Sequence, residues 1–190
     1  MVRIHLADGS FFVLHAEVHA REGIRAGDSL ESGRVDSLCA ASELVFARQK
    51  ALALLSRAAQ SRRGLAQKLR ARGFSPAAVS AALARMAELG YLDDLSFAEN
   101  WVRSRLSSRR DGLKALYKGL LLKGVSRETA ETAVAGLCSD EVVMENARRI
   151  AGGLSAQAAV RKLVARGFRS RTISRLLKEL RERDRGAGEQ

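Results

Sequence analysis

Leu69-Arg70-Ala71-Arg72-Gly73-Phe74 returns 94 residues later as Leu163-Val164-Ala165-Arg166-Gly167-Phe168. A looser copy lies between them, Leu120-Leu121-Leu122-Lys123-Gly124-Val125. A basic residue followed by glycine is a helix stop, because glycine enters the left-handed conformation without a Cβ penalty and the next apolar residue folds back onto the core. The flanks repeat as well. Leu69, Leu120 and Leu163 stand four residues before the glycine, Val79, Ala130 and Ile173 six after it, and Leu83, Val134 and Leu177 ten after it. Ser75 with Pro76 at the first helical position opens the next helix, and Ser126 opens its counterpart. In the third copy Arg169-Ser170 holds that place, which predicts a start shifted by one residue.

The three glycines are 51 and 43 residues apart, room for three short helices per copy. The chain therefore reads as modules over 45–92, 93–138 and 139–190, the last carrying a basic C-terminal tail. Residues 1–44 differ. Val2, Ile4 and Leu6 alternate ahead of an Asp8-Gly9 turn, which predicts a hairpin pairing Leu6 with Phe11 and Ile4 with Val13. Residues 19–34, with Gly23, Gly27 and Gly33, read as loop leading into a helical linker. The expected fold is mainly α: three tandem three-helix modules in an elongated arc, preceded by a short N-terminal β-hairpin.

Charge separates the same parts. Residues 1–44 hold four basic and seven acidic side chains, while 45–190 hold 29 and 14. The helical region is the cationic one, and it suits a phosphate backbone or an acidic protein surface. Three cationic clusters recur beside the repeat cores: Arg62, Arg63, Lys68, Arg70 and Arg72; then Arg110, Lys114 and Lys118; then Arg161, Lys162, Arg166, Arg171, Arg175 and Lys178. Arg110, Lys114 and Lys118 fall at i, i+4 and i+8, one stripe of a helix opposite Leu113, Leu116 and Leu120. Three such stripes on tandem modules predict an extended basic surface.

Catalytic constellations do not emerge. Lys118-Gly119 and Lys123-Gly124 lack the spacing of a phosphate-binding loop. The histidines His5, His15 and His19 sit in the predicted hairpin region, where residues on strand faces are a better account than a zinc site. Cys39 and Cys138 follow no metal spacing and suit a reducing compartment. No cofactor or metal is expected. Trp101 and Tyr117 are expected to pack in cores. No apolar run approaches membrane-spanning length, and no basic start followed by an apolar segment suggests a signal peptide, so a cytoplasmic protein is expected. A monomer is expected as well.

Between the first two modules runs Leu89-Gly90-Tyr91-Leu92-Asp93-Asp94, followed by Phe97-Ala98-Glu99 and Arg103-Ser104-Arg105. Gly90 ends a helix, Tyr91 and Leu92 are expected to bury against it, Asp93 or Asp94 to cap the next helix, and Phe97 to return to the core. This junction, the basic-Gly-Phe turns and the Asp-Gly hairpin together resemble the RecX regulatory family. The resemblance covers nearly the whole chain and is most specific from Leu89 to Arg105, with Gly112, Leu116 and Lys123-Gly124-Val125 in support. It implies binding to the RecA recombinase and its nucleoprotein filament on single-stranded DNA. It also implies restraint of ATPase, strand-exchange and coprotease activities, with the modules lying along the filament groove. Gly64 and Gly119 depart from the family, which often has a good helix former there; each costs roughly 1 kcal/mol relative to alanine. Nonspecific DNA binding by helix-turn-helix-like modules is the alternative reading.

Overall fold

The computed structural model describes residues 1–187, with side chains described through Glu182. Among the described residues there are two strands and ten helices. They divide between Asp93 and Asp94 into two compact units.

In the first unit, β1 (Val2–His5) and β2 (Phe11–Leu14) form the hairpin, followed by α1 (Ala16–Glu22), α2 (Ser32–Leu55), α3 (Arg62–Arg70) and α4 (Pro76–Glu88). The strands pair Val2 with Leu14, Arg3 with Val13, Ile4 with Phe12 and His5 with Phe11. This corrects the predicted register by one residue. The cause is the turn. Leu6 N–H donates to the Ser10 carbonyl, so Ala7, Asp8 and Gly9 make a three-residue loop with Gly9 at φ +84°. Asp8 accepts from both the amide and the hydroxyl of Ser10, which holds its carboxyl below the usual range. A one-residue slip exchanges the faces of a strand. Phe12 and Leu14 therefore face the core, while Phe11 is 54% exposed.

Part of the predicted 19–34 loop is also helical. His15 Nδ1 accepts from Glu17 N–H at 3.2 Å, capping α1, and Val18 anchors that helix in a small core with Leu14 and Leu38. Gly23, at φ +66°, ends it. The helix α2 then runs unbroken through 44 and 45 and serves two cores. Leu38 packs beneath the hairpin; Ala47, Ala51 and Leu54 pack on α3 and α4.

In the second unit α5 (Asp94–Ser108), α6 (Leu113–Leu122) and α7 (Arg127–Leu137) share one core. The helices α8 (Asp140–Ala151), α9 (Ala156–Ala165) and α10 (Ser170–Ala187) share another. The expected basic tail begins as the last turns of α10, and 188–190 lie outside the described residues.

Each helix triplet repeats the same local chemistry. Gly73, Gly124 and Gly167 take φ of +84°, +84° and +79°, beyond reach of a β-branched residue without strain. At the second and third turns the residue after glycine donates back to the leucine five before it, Val125 to Leu120 and Phe168 to Leu163. Those leucines and Leu69 are fully buried, each such burial being worth roughly 1.5–3 kcal/mol. The next helix begins three residues past the glycine in all three cases, at Pro76, Arg127 and Ser170. The shift predicted for the third copy does not occur: Arg169 holds the cap position by its backbone, its carbonyl accepting from Ile173. Serine side chains cap α3, α4, α7, α8 and α9, at Ser61, Ser75, Ser126, Ser139 and Ser155.

Candidate partner-binding surface

The second helix of each triplet, α3, α6 and α9, carries most of the cations singled out in the sequence. Counted back from the turn glycine, Arg63 and Lys114 occupy one equivalent position, ten residues before it. Lys68, Lys118, Arg161 and Lys162 lie five or six residues before it, and Arg72, Lys123 and Arg166 immediately before it. Leu65, Leu116 and Ala159 face inward from the same helices. Packing thus holds the apolar side, and Arg63, Lys68, Arg70, Lys114, Lys118, Arg161 and Lys162 stand exposed on the other. Arg62 is exposed in the first turn of α3, and Arg171 and Arg175 on α10.

Not all of the singled-out cations are placed this way. Arg110 is not on the Lys114–Lys118 helix: it sits in the α5–α6 connection at φ +54°, and α6 begins only at Leu113 with Gly112 as its cap. The expected three-residue stripe is a pair. Arg166 is half-buried, and its guanidinium bonds to the Arg109 carbonyl, so it serves the junction between the second and third triplets. Arg72 donates to the Lys68 carbonyl and closes the end of α3. Lys68 reaches Gln60 Oε1 at 2.7 Å, and Arg175 lies 3.5 Å from Glu179 on the next turn.

The junction residues also sort themselves. Leu92 is buried and Phe97 packs on the core of the second triplet, whereas Tyr91 is 56% exposed, correcting the expectation that it buries. Tyr91 N–H donates to the Met86 carbonyl across Gly90, which takes φ +74°. That turn aims the ring outward. Asp93 precedes α5 and Asp94 opens it, at the end where a carboxylate meets the helix dipole favourably. Phe74, behind Gly73, is half-buried against the first core; Phe168, behind Gly167, is buried in the third.

Sequence reasoning missed a polar and aromatic cluster in the second triplet. Asp111 is buried, with Oδ2 2.7 Å from Arg105 Nε. The pair is ionic rather than an aligned hydrogen bond. The Arg105 guanidinium lies 5.2 Å from the centre of the Trp101 ring, and that ring fills the space a Cβ on Gly119 would need, 2.2 Å from Cη2. Gly119 is therefore a seat for Trp101, a role invisible without the α5–α6 packing.

A cleft of about 500 Å³ is lined by Tyr117, Glu131, Val134, Cys138, Asp140 and Arg169, among others. Burial pushes the Cys138 thiol up to about 11, which leaves it protonated and a poor nucleophile near neutrality. Among the described residues no group of three or more His, Cys, Asp or Glu side chains stands together as a metal site would require. Among them, too, no helix is long and apolar enough to cross a membrane.

Two family models match the chain: the first three-helix domain of RecX over 47–86 and the second over 93–134. The regulatory protein RecX of Thermobifida fusca is 36% identical over 152 residues, spanning 74% of this chain and 82% of that protein. The chain belongs to the RecX family. A second RecX, from Prosthecochloris aestuarii, is 35% identical over 69% of this chain and 91% of its own. The RecX fold extends over almost the full length. A crystal structure of regulatory protein RecX superposes with a TM-score of 0.71 at 19% identity, covering 93% of this chain and 92% of that one. That of RecX from Lactobacillus salivarius gives 0.67 at 24% identity, over 74% and 97%. The mainly helical fold with its short N-terminal sheet matches that of these RecX structures.

Proposed function

We propose that this chain binds a RecA-type recombinase filament on single-stranded DNA and lowers its ATPase, strand-exchange and coprotease activities. It does so without chemistry of its own, as a cytoplasmic monomer. The observation that carries the reading is membership of the RecX family, matched through the first two of the three helix triplets. The exposed cations at equivalent positions of α3, α6 and α9 support it. A partner with a periodic acidic or phosphate surface gives each module a similar weak site. Once one site is occupied, the others engage at high effective concentration.

The test is a recombinase assay. Adding the protein to recombinase, single-stranded DNA and ATP should lower ATP turnover in a saturable way, with strand exchange falling in parallel. Unchanged turnover and exchange at saturating protein defeat the proposal. Equal, salt-sensitive affinity for naked DNA and for filaments favours plain DNA binding instead.

A further inference from the structure

The long helix α2 carries two faces, and the fold buries only one of them. Ala47, Ala51 and Leu54 pack against α3 and α4. Phe46, Gln49, Lys50 and Ala53 stand at i, i+3, i+4 and i+7, a second stripe of the same helix. Phe46 packs in neither of the two cores that α2 serves; His15 meets its ring edge-on, 5.1 Å between centres. Beside this stripe the turn after α3 brings up Arg72 and Phe74. Together they line a hollow of about 610 Å³, to which Met1 also contributes. Phe74 is half-buried there, whereas Phe168, in the same place behind its glycine, is 3% exposed. The ring that packs fully in the third triplet keeps an uncovered side in the first, where it walls the hollow.

Charge and shape select the occupant. Between Glu43 and Glu88 stand nine cations and no carboxylate. Lys50 and Arg72 line the hollow, and among the described residues neither pairs with a carboxylate. Arg72 is held in place by its bond to the Lys68 carbonyl, and Gln49 lies 2.9 Å from His15 Nε2. Glu43 precedes Phe46 by about one turn of α2, bonds to Ser75 and stands outside the lining. The charge on the hollow itself is therefore positive, and its floor is apolar. A nucleic-acid strand would need ring faces open for base stacking. Here one ring meets His15 and the other leans on the first core, so the floor suits an apolar side chain set among carboxylates.

We propose that this hollow on α2 is a docking site for a short acidic segment of a partner protein that carries one large apolar side chain. That side chain enters between Phe46, Ala53 and Phe74, and flanking carboxylates meet Lys50 and Arg72. The site does not rest on the recombinase reading, and its test contains no recombinase.

The probe is a fluorescein-labelled peptide of glutamate and alanine around a central tryptophan, followed by anisotropy as the full chain is added. It should bind saturably. Exchanging its tryptophan for alanine, or its glutamates for lysine, should weaken binding several-fold or more. Ala53→Gln fills the floor from an exposed helical position and should abolish binding with circular dichroism unchanged. Lys50→Glu should weaken binding far more than Arg48→Glu, the same charge change on another face of α2. The proposal is overturned by absence of saturable binding, by equal binding of the tryptophan and alanine peptides, or by binding that survives Ala53→Gln. Equal losses from Lys50→Glu and Arg48→Glu overturn it too. Binding of oligo(dT) that Ala53→Gln abolishes would mark a nucleic-acid site instead, and self-association lost in the same variant would mark a contact between copies.

Discussion

The amide of Gly112 donates to the carbonyl of Arg166 at 2.8 Å, joining the start of α6 to the turn between α9 and α10. Lys114 N–H donates to the Gly167 carbonyl beside it, and a Cβ on Gly167 would stand 2.5 Å from Ala115 N. Two triplets of one repeat are thus bonded main chain to main chain, which requires both glycines to lack side chains. Gly73, in the same motif, has nothing within 4 Å of its absent Cβ.

Those two environments separate otherwise identical substitutions. Gly73→Ala should cost about 1 kcal/mol, the strain of positive φ alone. Gly167→Ala should cost clearly more, because backbone must move as well. Thermal or urea unfolding of the two variants makes the comparison; equal losses would mean that the α6 contact contributes nothing.

Gly119→Ala should destabilise the chain even though alanine favours a helix by roughly 1 kcal/mol. Its Cβ collides with the Trp101 ring. Combining it with Trp101→Leu should cost less than the sum of the single changes, and a double-mutant cycle on unfolding free energies measures that coupling. Strict additivity would refute the contact.

Glu43 on α2 accepts from both the amide and the hydroxyl of Ser75, at 2.6 and 2.5 Å, and so fixes the start of α4 from 32 residues away. Glu43→Ala should lower stability by about 1.5–3 kcal/mol, as expected for hydrogen bonds to a charged group. Ser75→Ala on top should add little. Chemical denaturation of the three variants checks this.

Lys114→Glu with Lys118→Glu should leave helical content unchanged by circular dichroism and weaken binding to filaments or DNA. The salt slope should shrink by roughly 1.5–2 if both contact phosphates. Reversing Arg85 and Arg103, each already paired with a surface glutamate, changes net charge equally and is the control. Equal loss from both pairs would show that net charge, and not this face, matters.

The Cys138 thiol should alkylate slowly in the folded protein at pH 8, with a rate that climbs toward an inflection near 11. Its folded pKa lies above the ordinary 9.0, so the unfolded chain loses the proton first. The stability that follows is complete below about 9 and is lost as pH rises through 11. Iodoacetamide labelling followed by mass spectrometry over pH reads the profile.

The repeat was legible because its physics is local. Leu69, Leu120 and Leu163 before a left-handed glycine, and a helix restarting three residues later, need only neighbours in the chain. The serine caps at Ser61, Ser139 and Ser155 were equally local, each a serine opening a helical period, and were legible in principle. The seven-residue α1 was not, since His15 is an uncommon cap and glycines crowd the segment. Arg110 misled for a different reason: i, i+4 spacing places residues on one helix face only if a helix exists there, and the left-handed turn at Arg110 ends that premise.

Composition, periodicity and turn chemistry by themselves determined a mainly helical chain of tandem cationic modules behind a hairpin, because each depends on residues close in sequence. The tertiary structure alone decided the hairpin register, the outward turn of Tyr91, the seat of Trp101 on Gly119 and the withdrawal of Arg166 into a junction. Each of these depends on atoms brought together by packing or by one turn's loop length. A pattern of residue types carries no information about which backbone will arrive within 3 Å of which glycine.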